Sequence, residues 1–207
     1  MLNEFELPID TLINKYNLID PIDYEPRELI TMDNNENNFH NYRDPNLKPQ
    51  ISSRVKEPFE KMKKDFDEYF SQIDSKLIVD SGYRSYEYQQ VVYDRKIKEE
   101  GIEAAKYVAL PGSSEHQSGL AIDFAFFKHG KYVDDHKEDD PEILWLIENS
   151  WKYGFILRYP KDKEEITDTP YEWWHYRYVG EEISKIIHEN NLSLEEYHQI
   201  YKKKKNR

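Results

Sequence analysis

The run Ser113-Ser114-Glu115-His116-Gln117-Ser118-Gly119-Leu120-Ala121-Ile122-Asp123-Phe124 constrains this chain more than any other stretch. Beyond Gly119, the bulky residues Leu120, Ile122, Phe124 and Phe126 alternate with Ala121, Asp123 and Ala125. A period of two predicts a strand with one core face. The other face carries an acid between two alanines, and such small neighbours leave room for a ligand pocket above Asp123. His116 precedes the strand, in a loop rich in small residues. It folds back beside Asp123 if the backbone turns near Gly119, where a positive φ is cheap.

One histidine and one aspartate do not make a site. A second stretch, Tyr171-Glu172-Trp173-Trp174-His175-Tyr176-Arg177-Tyr178, offers a further imidazole that completes a His116, Asp123, His175 set. Zinc takes imidazole nitrogens and carboxylate oxygens in near-tetrahedral geometry, and a catalytic zinc keeps its fourth position for water. Glu172 is then a spare carboxylate beside the metal, suited to act as general base. Residues three apart on a straight strand point to opposite faces. Glu172 and His175 therefore converge only if Glu172 belongs to a preceding turn or the strand is bulged near Trp173. Each piece has a plainer reading. A lone loop histidine is ordinarily polar surface, and paired tryptophans are ordinarily core or pocket wall. The combination S-x-H-x-x-G-x-A-x-D with E-x-x-H is far more specific than its parts.

Those two motifs, together with Gly82-Tyr83-Arg84-Ser85 and Gln89 upstream, resemble the zinc-dependent D,D-carboxypeptidases and dipeptidases of the VanY, VanX and VanXY type, whose fold L,D-carboxypeptidases and some phage endolysins share. The resemblance runs from about Leu12 to about Gly180, and Val108 to Gln117 is most similar to the VanXY and VanY branches. Trp173 stands where the family often has proline. The resemblance implies an α+β single domain of the Hedgehog/D,D-peptidase kind. Its small, mostly antiparallel sheet is flanked by helices and carries the zinc site. It further implies one Zn²⁺ per chain and, as partner, a peptidoglycan precursor stem ending in D-Ala-D-Ala, or the free dipeptide. Residues 1–50 would be an arm wrapping that domain, residues 51–190 the catalytic core, and residues 191–207 a C-terminal helix and basic tail.

Composition narrows the alternatives. The formal charge of −12 over 207 residues argues against a nucleic-acid binder, which would show a basic face, and against tight binding to an anionic membrane surface. The basic end Lys202–Arg207 reads as a frayed, solvated tail. With no cysteine, disulfides, thiolate ligands and a cysteine nucleophile drop out, so any metal must use histidine and carboxylate. Neither a signal-like start nor a run of about 18 apolar residues occurs. As written the chain reads as cytoplasmic. A cell-wall or extracellular protein trimmed of its signal would look the same.

In chain order, residues 1–50 read as loop-rich, with an Asn-rich stretch from Asp33 to Asn38. Val55, Phe59, Met62, Phe66 and Phe70 predict a helix from Ser52 to about Ile73. Leu77–Ser81 reads as a strand, and Ser85 as the N-cap of a helix ending before Gly101. Arg84 thus sits at a strand-to-helix junction, a rigid place from which to aim a guanidinium. On composition alone it is as readily a surface ion-pair partner. The resemblance assigns it to stabilising an oxyanion or holding the peptide, with Gln89 reaching the same pocket and Ser114 hydrogen-bonding the substrate.

Glu103 to Tyr107 reads as a further helical turn, and Lys128-His129-Gly130-Lys131 as a hairpin turn into Tyr132-Val133. His136, in an acidic run, reads as solvated rather than ligating. Asp140-Pro141-Glu142 starts a helix whose buried stripe is Ile143, Leu144, Ile147 and Trp151. Phe155 to Pro160 is a short strand whose Arg158 either lines the pocket or pairs with an acid. Lys161 to Thr169 reads as a polar loop. Glu181 to Glu189 is helical, and Ser193-Leu194-Glu195-Glu196 is a capping box opening a last helix. His188 and His198 read as surface or packing residues.

Three other readings stay open beside a D,D-carboxypeptidase: an L,D-carboxypeptidase, a peptidoglycan endopeptidase, and a non-catalytic cell-wall-binding zinc module. The last need not keep Glu172, which is present here.

Overall fold

In the computed structural model, residues 5–32, 48–133 and 135–202 are described, without the side chains of residues 104–106. The Asn-rich stretch and the basic tail from Lys203 onward lie outside them.

The described residues build two antiparallel sheets. A small one pairs β1 (Leu29–Thr31) with β2 (Gln50–Ser52). The main sheet takes β3 (Ser75–Ser81), β4 (Ala121–Lys128), β7 (His175–Tyr178) and β6 (Phe155–Leu157) in that order, with β5 (Lys131–Val133) paired to β4. The β4–β5 hairpin turns at His129 and Gly130, both at positive φ (52° and 73°), as a tight two-residue loop requires.

The period-two reading of β4 holds. Leu120, Ile122, Phe124 and Phe126 are all buried in the main core. Their partner is α1 (Ser53–Tyr69), capped by the Ser52 side chain, which accepts from Arg54 N. Val55, Phe59, Met62 and Phe66 form its buried stripe, and Phe70 follows just beyond its end. Phe59 stacks on Phe124 at 5.7 Å and Phe66 on Phe126 at 5.5 Å. Each such ring contributes about 2–3 kcal/mol on leaving water. The helix thus closes one face of the sheet and leaves the Asp123 face to the site.

Further helices hold the periphery: α2 (Tyr86–Glu100), α3 (Pro141–Asn149), α4 (Glu164–Thr167), α5 (Glu181–Glu189) and α6 (Leu194–Tyr197). Ser85 caps α2 by accepting from Tyr88 N, and Gly101 ends it at φ 84°. The capping box at Ser193 and Glu196 is formed on both sides. Two expectations need correction. In α3 Leu144 is 48% exposed, and the buried position is Leu146 at 0%. The segment 161–169 is a single-turn 3-10 helix, Lys161–Lys163, running into α4, with Asp168 closing α4 at φ 54°; Lys15 pairs with that aspartate and Tyr16 OH donates to it at 2.8 Å.

The N-terminal arm carries a small core of its own, Leu7, Ile13, Ile19 and Tyr24. It is tied to the motif loop: Ile19 N donates to Gly112 O at 2.8 Å, and Gln117 Nε2 to Ile22 O at 2.6 Å.

Candidate metal centre and active site

The first histidine is delivered by a turn. Glu115–Ser118 forms one turn of 3-10 helix, closed by Gly119 at φ 68°. A Cβ at Gly119 would sit 2.8 Å from Pro26 Cγ and 3.2 Å from Ser52 N, so both the conformation and the space call for glycine. The fold-back swings His116 over β4. Its Nδ1 lies 2.6 Å from Gly82 O, so Nδ1 carries the proton and the lone pair stays on Nε2. That Nε2 is buried with no hydrogen-bond partner among the described residues, and lies 3.2 Å from Asp123 Oδ2.

The second histidine comes by strand pairing. Asp123 on β4 faces His175 on β7 in register, and His175 Nδ1 is 3.0 Å from Asp123 Oδ1. Its Nε2 faces Glu115 Oε2 at 3.4 Å. On the other side of Asp123 the β3–β4 register shifts between Val79 and Ser81, a bulge of the kind that re-aims side chains beside sites. The room at Ala121 has a second use: its cross-strand partner is Arg177.

Glu172 precedes β7 in a turn, as one of the two geometric options required. His175 N donates to Glu172 O at 3.3 Å, and Glu172 N donates to Tyr159 O at 3.1 Å. Its carboxylate comes within 3.9 Å of His175 Nδ1. Burial, with the charge of Asp123 adding to it, pushes the Glu172 carboxyl up to about 7. Burial, then the nearby Arg84 charge, lowers His116 to about 4. Burial opposes the charge on Asp123, but the two imidazoles reverse this and hold it well below the usual carboxylate range. Burial likewise opposes protonation of His175, but Asp123 and Glu115 overcome it and raise the imidazole to about 9.

One nitrogen or oxygen from each of His116, Asp123 and His175 falls within 4.8 Å of the others. Ligands of a tetrahedral zinc stand roughly 3.3 Å apart, close to the His116–Asp123 and Asp123–His175 separations. The donor set also suits zinc: one carboxylate, two imidazoles, an outward-facing partner on each ring, and an orphaned buried nitrogen aimed at the centre. Three protein donors leave a fourth position open.

The remaining predicted residues fall around this centre. Arg84 follows β3, its backbone N donating to His116 O at 3.2 Å, and its charge bears on both His116 and Glu172. Ser114 is buried and leads into the 3-10 turn. Gln89 is buried too; Nε2 donates to Ala109 O at 2.7 Å while Oε1 has no partner among the described residues. His136 is no part of the centre: Nε2 contacts Val133 O at 2.8 Å and the ring packs on Phe126 and Trp173. His188 stacks on Trp151 and His198 Nε2 contacts Asp10 O. Arg158 takes the second of its two roles, pairing with Glu115 and Glu195. Sequence reasoning missed Glu115, whose signal was its place inside the first motif. It also missed Tyr159, whose ring lies 5.0 Å from that of His175.

A family model described as VanY, D-alanyl-D-alanine carboxypeptidase, matches residues 48–181. The chain belongs to the VanY family. That segment holds all seven predicted site residues. This VanY-family chain is 38% identical over 193 residues to a putative carboxypeptidase, YodJ, of Bacillus subtilis, covering 93% of the chain and 67% of that protein. It is 44% identical over 131 residues to a D-alanyl-D-alanine carboxypeptidase of Enterococcus faecium, covering 63% of the chain but 39% of that protein.

Solved structures agree on the fold, each at 35% identity. The LdcB LD-carboxypeptidase superposes with a TM-score of 0.75, covering 91% of this chain and 84% of that one. VanYB in complex with D-alanine-D-alanine gives 0.72, covering 93% and 98%. A VanY mutant from the VanB-type resistance cassette, in complex with Zn(II), gives 0.70, covering 91% and 97%. The α+β fold of the D,D-peptidases is therefore the fold of this VanY-family member. Among the described residues no helix is long and apolar enough to cross a membrane.

Proposed function

We propose that this protein is a zinc-dependent D-alanyl-D-alanine carboxypeptidase that removes the terminal D-Ala from peptidoglycan precursor stems, with the free D-Ala-D-Ala dipeptide as a further substrate. The observation that carries the reading is the convergence of His116, Asp123 and His175 beside the half-buried Glu172, in a VanY-family chain whose solved neighbours include a Zn(II) complex and a D-Ala-D-Ala complex.

His116 Nε2, His175 Nδ1 and an Asp123 oxygen would hold the zinc. When bound, the metal supplies a Lewis acid and makes water a nucleophile near neutral pH. Glu172, with its carboxyl lifted to about 7, takes a proton from the attacking water near that pH and returns it to the leaving amine. Arg84 balances the charge that develops on the carbonyl oxygen. Gln89 Oε1 accepts from an amide N–H of the peptide and Ser114 hydrogen-bonds it.

The test is to incubate zinc-loaded protein with a pentapeptide-bearing precursor and read product masses. Loss of one D-Ala is the expected result. The high TM-score to the LdcB LD-carboxypeptidase supports a second reading: an unchanged pentapeptide with trimming of the tetrapeptide stem would establish the L,D activity instead. Turnover of neither, nor of the dipeptide, would favour the non-catalytic wall-binding module. Fractionation of cells expressing the full-length protein assigns the stem to cytosolic precursor or assembled wall.

A further inference from the structure

On the Nε2 side of His175, opposite the nitrogen that faces Asp123, lies a buried ionic cluster that the proposed mechanism does not use. Glu115 Oε2 faces His175 Nε2 at 3.4 Å. Its other oxygen, Oε1, accepts from Arg158 Nε at 2.8 Å and lies 3.0 Å from Arg177 Nη1. The far edge of the Arg158 guanidinium is bidentate: Nη1 donates to Glu195 Oε2 at 2.9 Å and Nη2 to Glu195 Oε1 at 2.6 Å. All four residues are buried, Arg158 at 1% and Glu195 at 8% exposure. Glu195 belongs to α6, beyond the segment matched by the family model, and also accepts from Asn14 Nδ2 of the arm at 3.2 Å.

We propose that Glu195 is a positioning residue of the active site, acting through Arg158 and Glu115 on the ring of His175. The inference rests on the reading of His175 as a zinc ligand. A buried guanidinium must have its donors satisfied, and its planar fork does this by bridging two carboxylates. Arg158 spends Nε on Glu115 and its two terminal nitrogens on Glu195. Without Glu195, those nitrogens face a buried space in which Glu115 is the nearest anion. Arg158 then turns onto both Glu115 oxygens and competes with His175 Nε2 for Oε2. His175 loses the outer partner that fixes its tautomer and ring plane, a loss that costs metal affinity about 10–100-fold where it has been measured. The C-terminal helix is in this sense part of the site.

The test measures zinc affinity by competition with a chromophoric chelator, alongside urea unfolding of each protein. Glu195→Gln keeps the shape and removes the charge. Arg158→Lys keeps the charge but loses the planar fork that is bidentate to Glu195 while Nε donates to Glu115. Leu194→Ala, at the neighbouring buried position of α6, destabilises the helix without touching the cluster. The expected result is a loss of about tenfold or more in zinc affinity for Glu195→Gln and for Arg158→Lys, with Leu194→Ala lowering the urea midpoint at wild-type affinity. Wild-type affinity in folded Glu195→Gln overturns the proposal. So does an affinity that falls in step with the urea midpoint in all three variants. If Glu195→Gln does not fold, Arg158→Lys decides on the same criterion. Wild-type affinity in His175→Ala would instead sink the zinc-ligand reading, and this inference with it.

Discussion

Asp123 and His175 are direct partners across the β4–β7 ladder, with Oδ1 3.0 Å from Nδ1. The register of two strands therefore sets two of the three candidate metal donors. In the metal-free protein the two residues hold a proton between them. His175 is raised to about 9 while His116 is lowered to about 4, so near neutral pH only the His175 imidazole is charged. A metal at Nδ1 must displace that proton. The metal-free form binds more protons than the metal-bound form, so zinc affinity rises with pH up to about 9. Titration calorimetry at pH 6, in buffers of different ionisation enthalpy, should report release of about one proton per zinc. The Glu172→Gln variant serves best, because it removes the base's own titration. No net release would mean that His175 Nδ1 is not a donor to the metal.

Glu172 reaches the centre from a turn, 3.9 Å from His175 Nδ1, and is not among the three converging donors. Its replacement by glutamine should leave about one zinc per chain and lower kcat by about 10²–10⁴. Metal analysis and single-substrate turnover on the same preparation check both halves. Loss of zinc, or turnover near wild type, would remove Glu172 from the role of base.

The parts of this molecule that could be read from sequence are those whose cause is local. The alternation through β4, the caps at Ser85 and Ser193 and the turn at Gly119 each follow from neighbours within a few positions. His116 and Asp123 were legible because one motif carries both. The stripe of α3 was misread at Leu144 because Ile143-Leu144-Trp145-Leu146-Ile147 is apolar all round, which leaves the helical phase undetermined. Lys128 also buries Glu142 by pairing with it at 2.8 Å, a polar residue that no hydrophobic pattern would place inside. The joining of Glu115, Arg158, Arg177 and Glu195 into one cluster was not legible for a similar reason, although Glu115 lies inside the first motif and Arg158 reads as a partner for an acid. Its members come from a motif loop, the position just after β6, the middle of β7 and α6, and nothing periodic links them.

Gly82 sits where the first histidine is anchored. Its carbonyl fixes His116 Nδ1 at 2.6 Å, and a Cβ there would overlap Gln50 O, a backbone atom of β2. Backbone cannot rotate out of the way as a side chain can. Gly82→Ala should therefore cost about 1–3 kcal/mol of stability, the range for overpacked sites. It should also weaken zinc binding, because relief of the overlap moves the carbonyl that aims His116. Urea unfolding and chelator competition read the two effects. Wild-type behaviour in both would show that the β2–β3 contact is looser than this packing implies.

Arg84 acts at a distance on two groups at once. Its charge lowers the pKa of His116 and opposes the upward push of burial on Glu172. A cation near a carboxyl favours the ionised form, and the base must be ionised to accept a proton. Arg84→Gln should therefore move the acidic limb of kcat/KM to higher pH. It should also lower the plateau by about 10²–10³, the loss expected when one oxyanion-stabilising donor goes. Zinc content should not change, since Arg84 is no ligand. A lower plateau with an unmoved limb would assign Arg84 to the peptide alone, away from Glu172. An unmoved limb with an unchanged plateau would return it to the surface ion-pair role that composition first allowed.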